Sequence, residues 1–305
     1  MDVAVLIVSY RGELDVQRCL AALAASRHTE FRVVICENGG AEAFARLTDS
    51  LPARLPGGQP VELHMAPGNL GFAGGVNLCL DLAGEAGAYW ILNPDTEPAP
   101  DALGAMVDRL AHGDCTAVGH DIVLPDGRTA SRGGGRWLPW TARAVSLGHG
   151  EPWAPAANPE AIERQMSYLI GASMLISAGF LQRVGRMRED YFLYCEEVEW
   201  FLRAVSAGER LGYAPVARVV HSHGASTGGG GPMRTRSRIS VYLVERNRLL
   251  VNRDLFPHLF AISAAFAMFH VVFRYGKTGA LAQIAYALAG WWGGVRNERG
   301  RPAWF

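Results

Sequence analysis

The chain has no surplus of charge of either sign. Its 305 residues carry 29 Lys and Arg against 29 Asp and Glu, a formal net charge of zero. Bulk electrostatics therefore gives no sign of a nucleic-acid partner. Cysteine chemistry is equally sparse: Cys19, Cys36, Cys79, Cys115 and Cys195 are scattered, odd in number and without a C-x-x-C pair. That pattern excludes a disulfide framework or a cysteine zinc site and suits a reduced compartment. A secretory signal is missing as well. Asp2 stands where a basic n-region belongs, and residues 3–8 are short and β-branched, so the chain is expected to stay in the cytoplasm. Neither the dinucleotide fingerprint G-x-G-x-x-G nor the full phosphate loop G-x-x-x-x-G-K-[ST] occurs, which argues against nicotinamide and P-loop chemistry.

What is present is a periodic, apolar chain. Hydrophobic residues make up 49%, enough for a large core, and the length suggests one large domain with an appendage. Residues 3–95 alternate in the α/β manner. Strands are expected at residues 3–8, 32–36, 61–65 and 88–92, with helices at 15–25, 73–83 and 101–111, the last with Asp101 as its cap. Short apolar strands between helices imply a parallel sheet covered on both faces. Residues 130–159, rich in Gly, Pro and Trp, read as an irregular segment. A strand over 167–177, a helix over 191–207 with Gly208 as its stop, and a strand over 211–220 ending at His221 follow.

From Arg234 the composition shifts. A basic patch of Arg234, Arg236, Arg238, Arg246, Arg248 and Arg253 precedes an apolar run over 255–273. A second apolar helix over 280–292 ends at Trp291 and Trp292, followed by Arg296, Arg299 and Arg301. Basic residues beside apolar helices with terminal tryptophans suit helices lying in a membrane interface. Pro257, His258 and His270 interrupt the first run and argue against a span. A helical hairpin packed on the main domain is the alternative.

Several constellations carry chemistry. Tyr89-Trp90-Ile91-Leu92-Asn93-Pro94-Asp95-Thr96 is a buried strand delivering one carboxylate to a sheet's C-terminal edge, where open α/β sheets bind ligands. Such a carboxylate can hold a divalent cation and, through it, a diphosphate. Asn69-Leu70-Gly71-Phe72-Ala73-Gly74-Gly75-Val76-Asn77 opens a helix after a strand, either an anion cradle or a means of close helix–sheet packing. Glu37-Asn38 after the second strand can accept from a nucleobase edge, or simply turn the chain. In Tyr194-Cys195-Glu196-Glu197-Val198-Glu199, Glu199 is placed to pair with Arg203. Glu196 and Glu197 are left as neighbours whose repulsion raises one pKa, which suits a proton acceptor. His221-Ser222-His223 follows the last strand and can complete a metal site begun by Asp95 or meet a phosphate.

In this order the pieces resemble the family-2 glycosyltransferases, most closely their rhamnosyltransferase-like branch. Val5-Leu6-Ile7-Val8-Ser9-Tyr10, Val34-Ile35-Cys36-Glu37-Asn38-Gly39, Asn69-Leu70-Gly71-Phe72-Ala73 and Leu92-Asn93-Pro94-Asp95-Thr96 carry the first part. Gly171-Ala172-Ser173-Met174-Leu175-Ile176, the run from Glu189 to Glu199, Pro215 through His221, Ser226 and Arg246-Asn247 carry the rest, so the likeness covers residues 3–250. It implies a GT-A fold, an α/β nucleotide-diphospho-sugar transferase with a Rossmann-like mixed sheet and a C-terminal helical extension. The corresponding domains are residues 1–232 (1–98 binding nucleotide, 99–232 acceptor) and a helical region over 233–305.

By the same resemblance the activity is inverting transfer from a nucleotide-sugar, with Mg²⁺ or Mn²⁺. Rhamnose from a dTDP donor is the branch's guess, beside UDP- and GDP-sugars. Ser9, Tyr10 and Glu37 would line the nucleoside, Asn69, Gly71, Phe72 and Asn77 the ribose and diphosphate. Asn93 and Asp95 fall on the metal motif, with Asp95 and His221 as metal ligands. Glu197, beside Glu196, falls on the catalytic base. Three positions depart from the family pattern: Glu37 and Glu197 stand where Asp is usual, and Arg188 replaces an Asp before Glu189. Trp137, Trp140 and Trp153 can stack on acceptor sugars. Resemblance and tail together imply a lipid-linked saccharide acceptor, at the cytoplasmic face of the inner membrane, in cell-surface polysaccharide assembly. Two rivals stay open. A sugar-1-phosphate nucleotidyltransferase wants a glycine-rich cationic loop after the first strand, which Ser9-Tyr10-Arg11-Gly12 does not supply. A non-catalytic scaffold that kept the fold has no need of Asp95, Glu197 and His221 together.

Overall fold

The structure, a computed structural model, describes residues 1–156, 158–222 and 232–305. Strands β1 (Val3–Ser9), β2 (Phe31–Glu37), β3 (Val61–Met65) and β4 (Ala88–Leu92) run parallel in the spatial order β3-β2-β1-β4. Their pleat sorts side chains into two cores. Val3, Val5 and Ile7 of β1 enter one, Ala4 and Leu6 the other, as the period of two requires of a strand covered on both faces. Helices α1 (Glu13–Ala24) and α2 (Ala41–Ser50) close the first face through Val16, Leu20 and Leu47. Helix α3 (Gly71–Ala83) closes the second through Val76 and Leu80, and α4 (Ala102–Ala111) returns to the first through Leu103 and Met106. Each such aliphatic side chain contributes about 1.5–3 kcal/mol by leaving water.

The second half makes the sheet mixed. Strands β5 (Thr96–Pro98), β6 (Ala117–Val123) and β7 (Thr129–Ser131) come first; β8 (Gly135–Leu138) and β9 (Arg143–Ser146) form a separate hairpin. Strands β10 (Ser173–Ser177) and β11 (Leu211–His221) complete a nine-stranded sheet, ordered β3-β2-β1-β4-β10-β6-β11-β5 with β7 on β6. The parallel sheet expected for residues 3–95 is there, and the whole is the mixed sheet that the resemblance implies: β6 and β11 are parallel, while β10 is antiparallel to β4 and β6, and β5 to β11. The helices here are α5 (Pro159–Glu163), α6 (Ala178–Val184) and α7 (Glu196–Ser206), then α8 (Arg238–Leu255), α9 (Phe260–Gly276) and α10 (Leu281–Val295).

Helix α8 does not sit on the surface. Leu249, Leu250 and Val251 share a core with α3 and α7, and Glu245, Asn247 and Asn252 are fully buried along it. Helix α10 packs against it through glycines: a Cβ on Gly290 would stand 2.2 Å from the Tyr242 carbonyl oxygen. The reading of a continuous basic patch is corrected here. Arg246 and Arg248 are buried; Arg246 donates to Asn247 Oδ1 at 2.8 Å and Arg248 pairs with Glu245 at 2.9 Å.

Other expectations shift for local reasons. Asp101 does not cap α4 with its side chain, which pairs instead with Arg27 at 2.5 Å. The strand expected over 167–177 is regular only from Ser173, because Ser167 and Tyr168 bond to Gly135 of the hairpin and Ala172 O accepts from Asn93 N. The segment over 130–159 holds the β8–β9 hairpin rather than irregular chain throughout. Helix α7 starts at Glu196 rather than 191, because Phe192, Tyr194 and Cys195 adopt left-handed conformations with φ of 67°, 70° and 67°. Gly208 does follow the helix end, with φ of 88°, and Glu199 pairs with Arg203 at 2.9 Å.

Candidate active site

The C-terminal ends of β1, β2 and β4 open on one edge of the sheet, where a cavity of about 650 Å³ lies. Its floor is built by the turn after β4. Asn93 N donates to Ala172 O at 2.8 Å, Thr96 Oγ1 donates to Asn93 O at 2.6 Å, and these bonds aim Asp95 upward. The antiparallel register of β5 on β11 sets His221 opposite Thr96. His221 Nε2 consequently lies 3.2 Å from Asp95 Oδ1, with the side chains 10% and 9% exposed.

The start of α7 lines the same cavity. Glu196 is buried, and its Oε2 has no hydrogen-bond partner. Glu197 keeps part of its surface on the cavity and lies against Gly171, where a Cβ would stand 3.4 Å from its Cγ. Burial pushes the Glu197 carboxyl up to about 7, opposed by backbone N–H groups of the α7 start. Burial also lifts Glu196 well above the carboxylate range, with the Glu197 charge adding to it. Burial and mutual repulsion thus hold the pair above the usual carboxylate range, so that near neutral pH it retains a proton.

The loop that presents this pair is held from α8. Asn247 Nδ2 donates to the carbonyls of Tyr191, Leu193 and Tyr194 at 2.9, 2.8 and 2.7 Å, and Arg246 Nη2 to Tyr191 O at 3.1 Å. The same loop meets α3. Phe72 N donates to Phe192 O at 2.8 Å, and Gly71, with φ of +72°, admits that carbonyl where a Cβ would stand 2.0 Å from it. Asn38 Nδ2 closes the contact on Gly71 O at 2.8 Å.

Of the residues singled out in the sequence, Tyr10, Asn69, Gly71, Phe72, Asn93, Asp95, Glu196, Glu197 and His221 all line this one cavity. Ser9, Glu37 and Asn77 do not. Glu37 is fully buried; it accepts from Ser9 Oγ at 2.5 Å and from the amides of Arg11 and Gly39 at 3.0 and 2.6 Å. Asn77 turns to the other half, donating to Met187 O and Glu189 Oε1 at 2.9 and 2.8 Å. Arg188 joins Asp190 and Asp254, which Arg299 also grips, so this departure from the pattern ties the C-terminal segment to the loop. Two of the three loop tryptophans are committed elsewhere: Trp137 Nε1 donates to Asn252 Oδ1 at 3.0 Å and Trp153 Nε1 to Asp121 Oδ2 at 2.9 Å. Trp140 remains 59% exposed. His223, Ser226 and glycines 228–231 lie outside the described residues. Asn38, named in the sequence beside Glu37, also lines the cavity, whereas sequence reasoning passed over Ile239, Ser240 and Val244 of α8 and gave Arg236 only as part of a basic patch.

No cluster of three or more metal-ligating side chains exists among the described residues. Asp95 and His221 nevertheless fit a divalent cation, offering one carboxylate oxygen and one imidazole nitrogen at the rim of a cavity large enough for a diphosphate. Mg²⁺ and Mn²⁺ at phosphates take few protein donors and fill the rest from phosphate and water.

Comparison with known proteins gives concordant matches. The family model described as glycosyl transferase family 2 matches residues 4–183. An N-acetylglucosaminyl-diphospho-decaprenol L-rhamnosyltransferase from Mycobacterium tuberculosis is 29% identical over 245 residues, covering 73% of this chain and 77% of that protein. The low-salt glycan biosynthesis hexosyltransferase Agl10 from Haloferax volcanii is 22% identical over 99% of this chain and 93% of its own length. Among solved structures, GalNAc-T7 with UDP, GalNAc and Mn²⁺ superposes with a TM-score of 0.63 at 14% identity. That match covers 85% of this chain and 49% of the other, so the chain spans about half of that structure.

Proposed function

The chain belongs to glycosyl transferase family 2 and is a glycosyltransferase of GT-A fold, and from that premise we propose an inverting, metal-assisted transfer to a lipid-linked saccharide. The observation that carries the proposal is that Asp95, His221 and Glu197 share one cavity. Rhamnose from dTDP-rhamnose is the proposed donor, supported by the relative whose name is a rhamnosyltransferase on a decaprenol diphosphate acceptor. Cell-surface polysaccharide synthesis at the cytoplasmic face of the membrane follows from that acceptor class. Residues 1–232 are proposed as the transferase unit, with 233–305 as a helical region that completes it.

Glu197 is the base. Its carboxylate takes the proton from an acceptor hydroxyl as that oxygen bonds to the anomeric carbon. The bond from that carbon to the diphosphate breaks on the opposite face, and the electron pair leaves with the nucleotide. Glu196, kept neutral by burial and by Glu197, adds no second charge beside the base. Asp95 and His221 would hold a Mg²⁺ or Mn²⁺, which when bound would supply positive charge to the leaving diphosphate. Asn69 and Phe72, at the start of α3, bound the cavity on the donor side.

The C-terminal helices support a membrane-surface location. The 20-residue helical stretch Pro257–Gly276 is long and apolar enough to cross a membrane by length and composition, with 33% buried in the protein. One face of α9 packs through Ala264, Ala267 and Val271, and the other exposes Phe266, Phe269 and Phe273. A helix half committed to protein and half bare suits lying in the lipid interface rather than spanning it. The test is nucleotide diphosphate release from dTDP-, UDP- and GDP-sugars with Mn²⁺ and a lipid-linked acceptor. Turnover with one donor, lost in Asp95→Ala and Glu197→Gln, is expected; release that persists in both variants refutes the assignment.

A further inference from the structure

Among the described residues lining the cavity, Arg236 is the sole Lys or Arg, set with the carboxylates Asp95, Glu196 and Glu197. Its guanidinium makes no ion pair or hydrogen bond with another described residue, and its Nε is buried without a partner. Three other half-buried arginines are paired, Arg188 with Asp254 at 2.7 Å, Arg203 with Glu199 at 2.9 Å and Arg299 with Asp254 at 2.6 Å, while Arg132, which does not line this cavity, shares the unpartnered Nε. A buried guanidinium N–H without a partner is costly. Such a group facing a cavity is accounted for by an anion arriving from outside the chain.

The neighbouring backbone has the same bias. Two residues on, α8 begins, an 18-residue helix whose first turn Ser237 caps by accepting from Ser240 N at 3.2 Å. The first N–H groups of a helix have no partner within it and carry the positive end of its dipole. Ser240 is 4% exposed and lines the cavity, and no described group accepts from or donates to its hydroxyl. Ile239 and Val244 continue this wall with apolar surface.

We propose that Arg236, the Ser240 hydroxyl and the start of α8 form an anion subsite for a substrate phosphate or diphosphate, built from residues other than Asp95 and His221. Two substrates carry that chemistry, the nucleotide-sugar and a lipid-linked acceptor. The choice between them rests on the transfer reading above; the anion site itself does not.

The first measurement is titration of the whole protein with inorganic pyrophosphate in EDTA, by calorimetry. Wild type binds, Arg236→Gln weakens binding at least 10-fold, Arg236→Lys restores part of it, and Ser240→Ala weakens it a few-fold. No metal-free binding by wild type, or equal binding by a folded Arg236→Gln, overturns the site. This decides the matter even where no donor turns over. With turnover in hand, a raised acceptor KM in Arg236→Gln assigns the subsite to the acceptor diphosphate and a raised donor KM to the nucleotide. Unchanged values of both overturn its role in transfer.

Discussion

Asn247, in the middle of α8, donates to the carbonyl of Tyr194 at 2.7 Å, and so fixes from a distant helix the loop that presents the two cavity glutamates. Three non-glycine residues of that loop are left-handed, each a cost of about 1–3 kcal/mol. The bonds from Asn247 to Tyr191, Leu193 and Tyr194 offset that strain.

Replacing Asn247 by Ala is therefore expected to lower kcat about 10- to 100-fold with little change in donor KM, since Asp95 and His221 are untouched. Losing the donor group leaves buried carbonyls unpaired at about 1–3 kcal/mol, read as a lower midpoint in denaturant. A variant less stable but unchanged in kcat would reduce Asn247 to a purely structural role.

The pH dependence follows from Glu197. With its carboxyl raised to about 7, kcat should rise tenfold per unit below that pH and level off above it. Stability runs the other way. The folded state holds this proton more tightly than the unfolded one, so its contribution is full below about pH 4.5 and is lost as pH rises through about 7. In Glu197→Gln the loss of stability over that window should shrink, as judged from urea midpoints at pH 5 and 8.

Metal removal and loss of Asp95 should act alike. EDTA is expected to abolish transfer, with recovery on adding Mn²⁺ or Mg²⁺. His221→Ala should raise the Mn²⁺ concentration for half-maximal rate about 10- to 100-fold. An enzyme fully active in EDTA would remove the metal from the reaction.

The exposed face of α9 should bind lipid. Phe269 and Phe273 are each 70% exposed, and burying one such ring is worth about 1.5–3 kcal/mol. The double change to Ser should release the protein from anionic vesicles in a flotation assay while leaving transfer to a short, water-soluble acceptor intact. Equal flotation of wild type and variant would rule this face out.

Gly71→Ala probes the junction of α3 with the glutamate loop. A Cβ there meets Phe192 O at 2.0 Å with φ at +72°, so the loop must move. Loss of kcat together with a few kcal/mol of stability is expected; a variant with wild-type rate and midpoint would show the contact to be slack.

The parts of the fold visible in the sequence were those where burial and period agree. β1, β2 and β4 are apolar on both faces, so their runs are continuous and end where the site begins. β6 was not visible because its interior holds His120 and Asp121, satisfied by Ser173, Tyr213 and Trp153; a buried polar network looks like loop in one dimension. The same is true of α8, whose Arg246, Asn247 and Arg248 read as surface but are interior. Asp95, Glu197 and His221 could be named because each ends or begins an element. Arg236 and Ser240 carry no motif, and only the folding of α8 across the cavity brings them there.

One consequence of α8 bears on how this enzyme can be dissected. A chain cut before residue 238 would lose more than an anchor: the Tyr191, Leu193 and Tyr194 carbonyls would lose Asn247, and the core around Leu249 and Leu250 would be opened to solvent. The sheet and the helix that steadies the glutamate loop are thus a single inseparable machine part, and a trimmed, stably folded minimal version ending at the last strand is not to be expected.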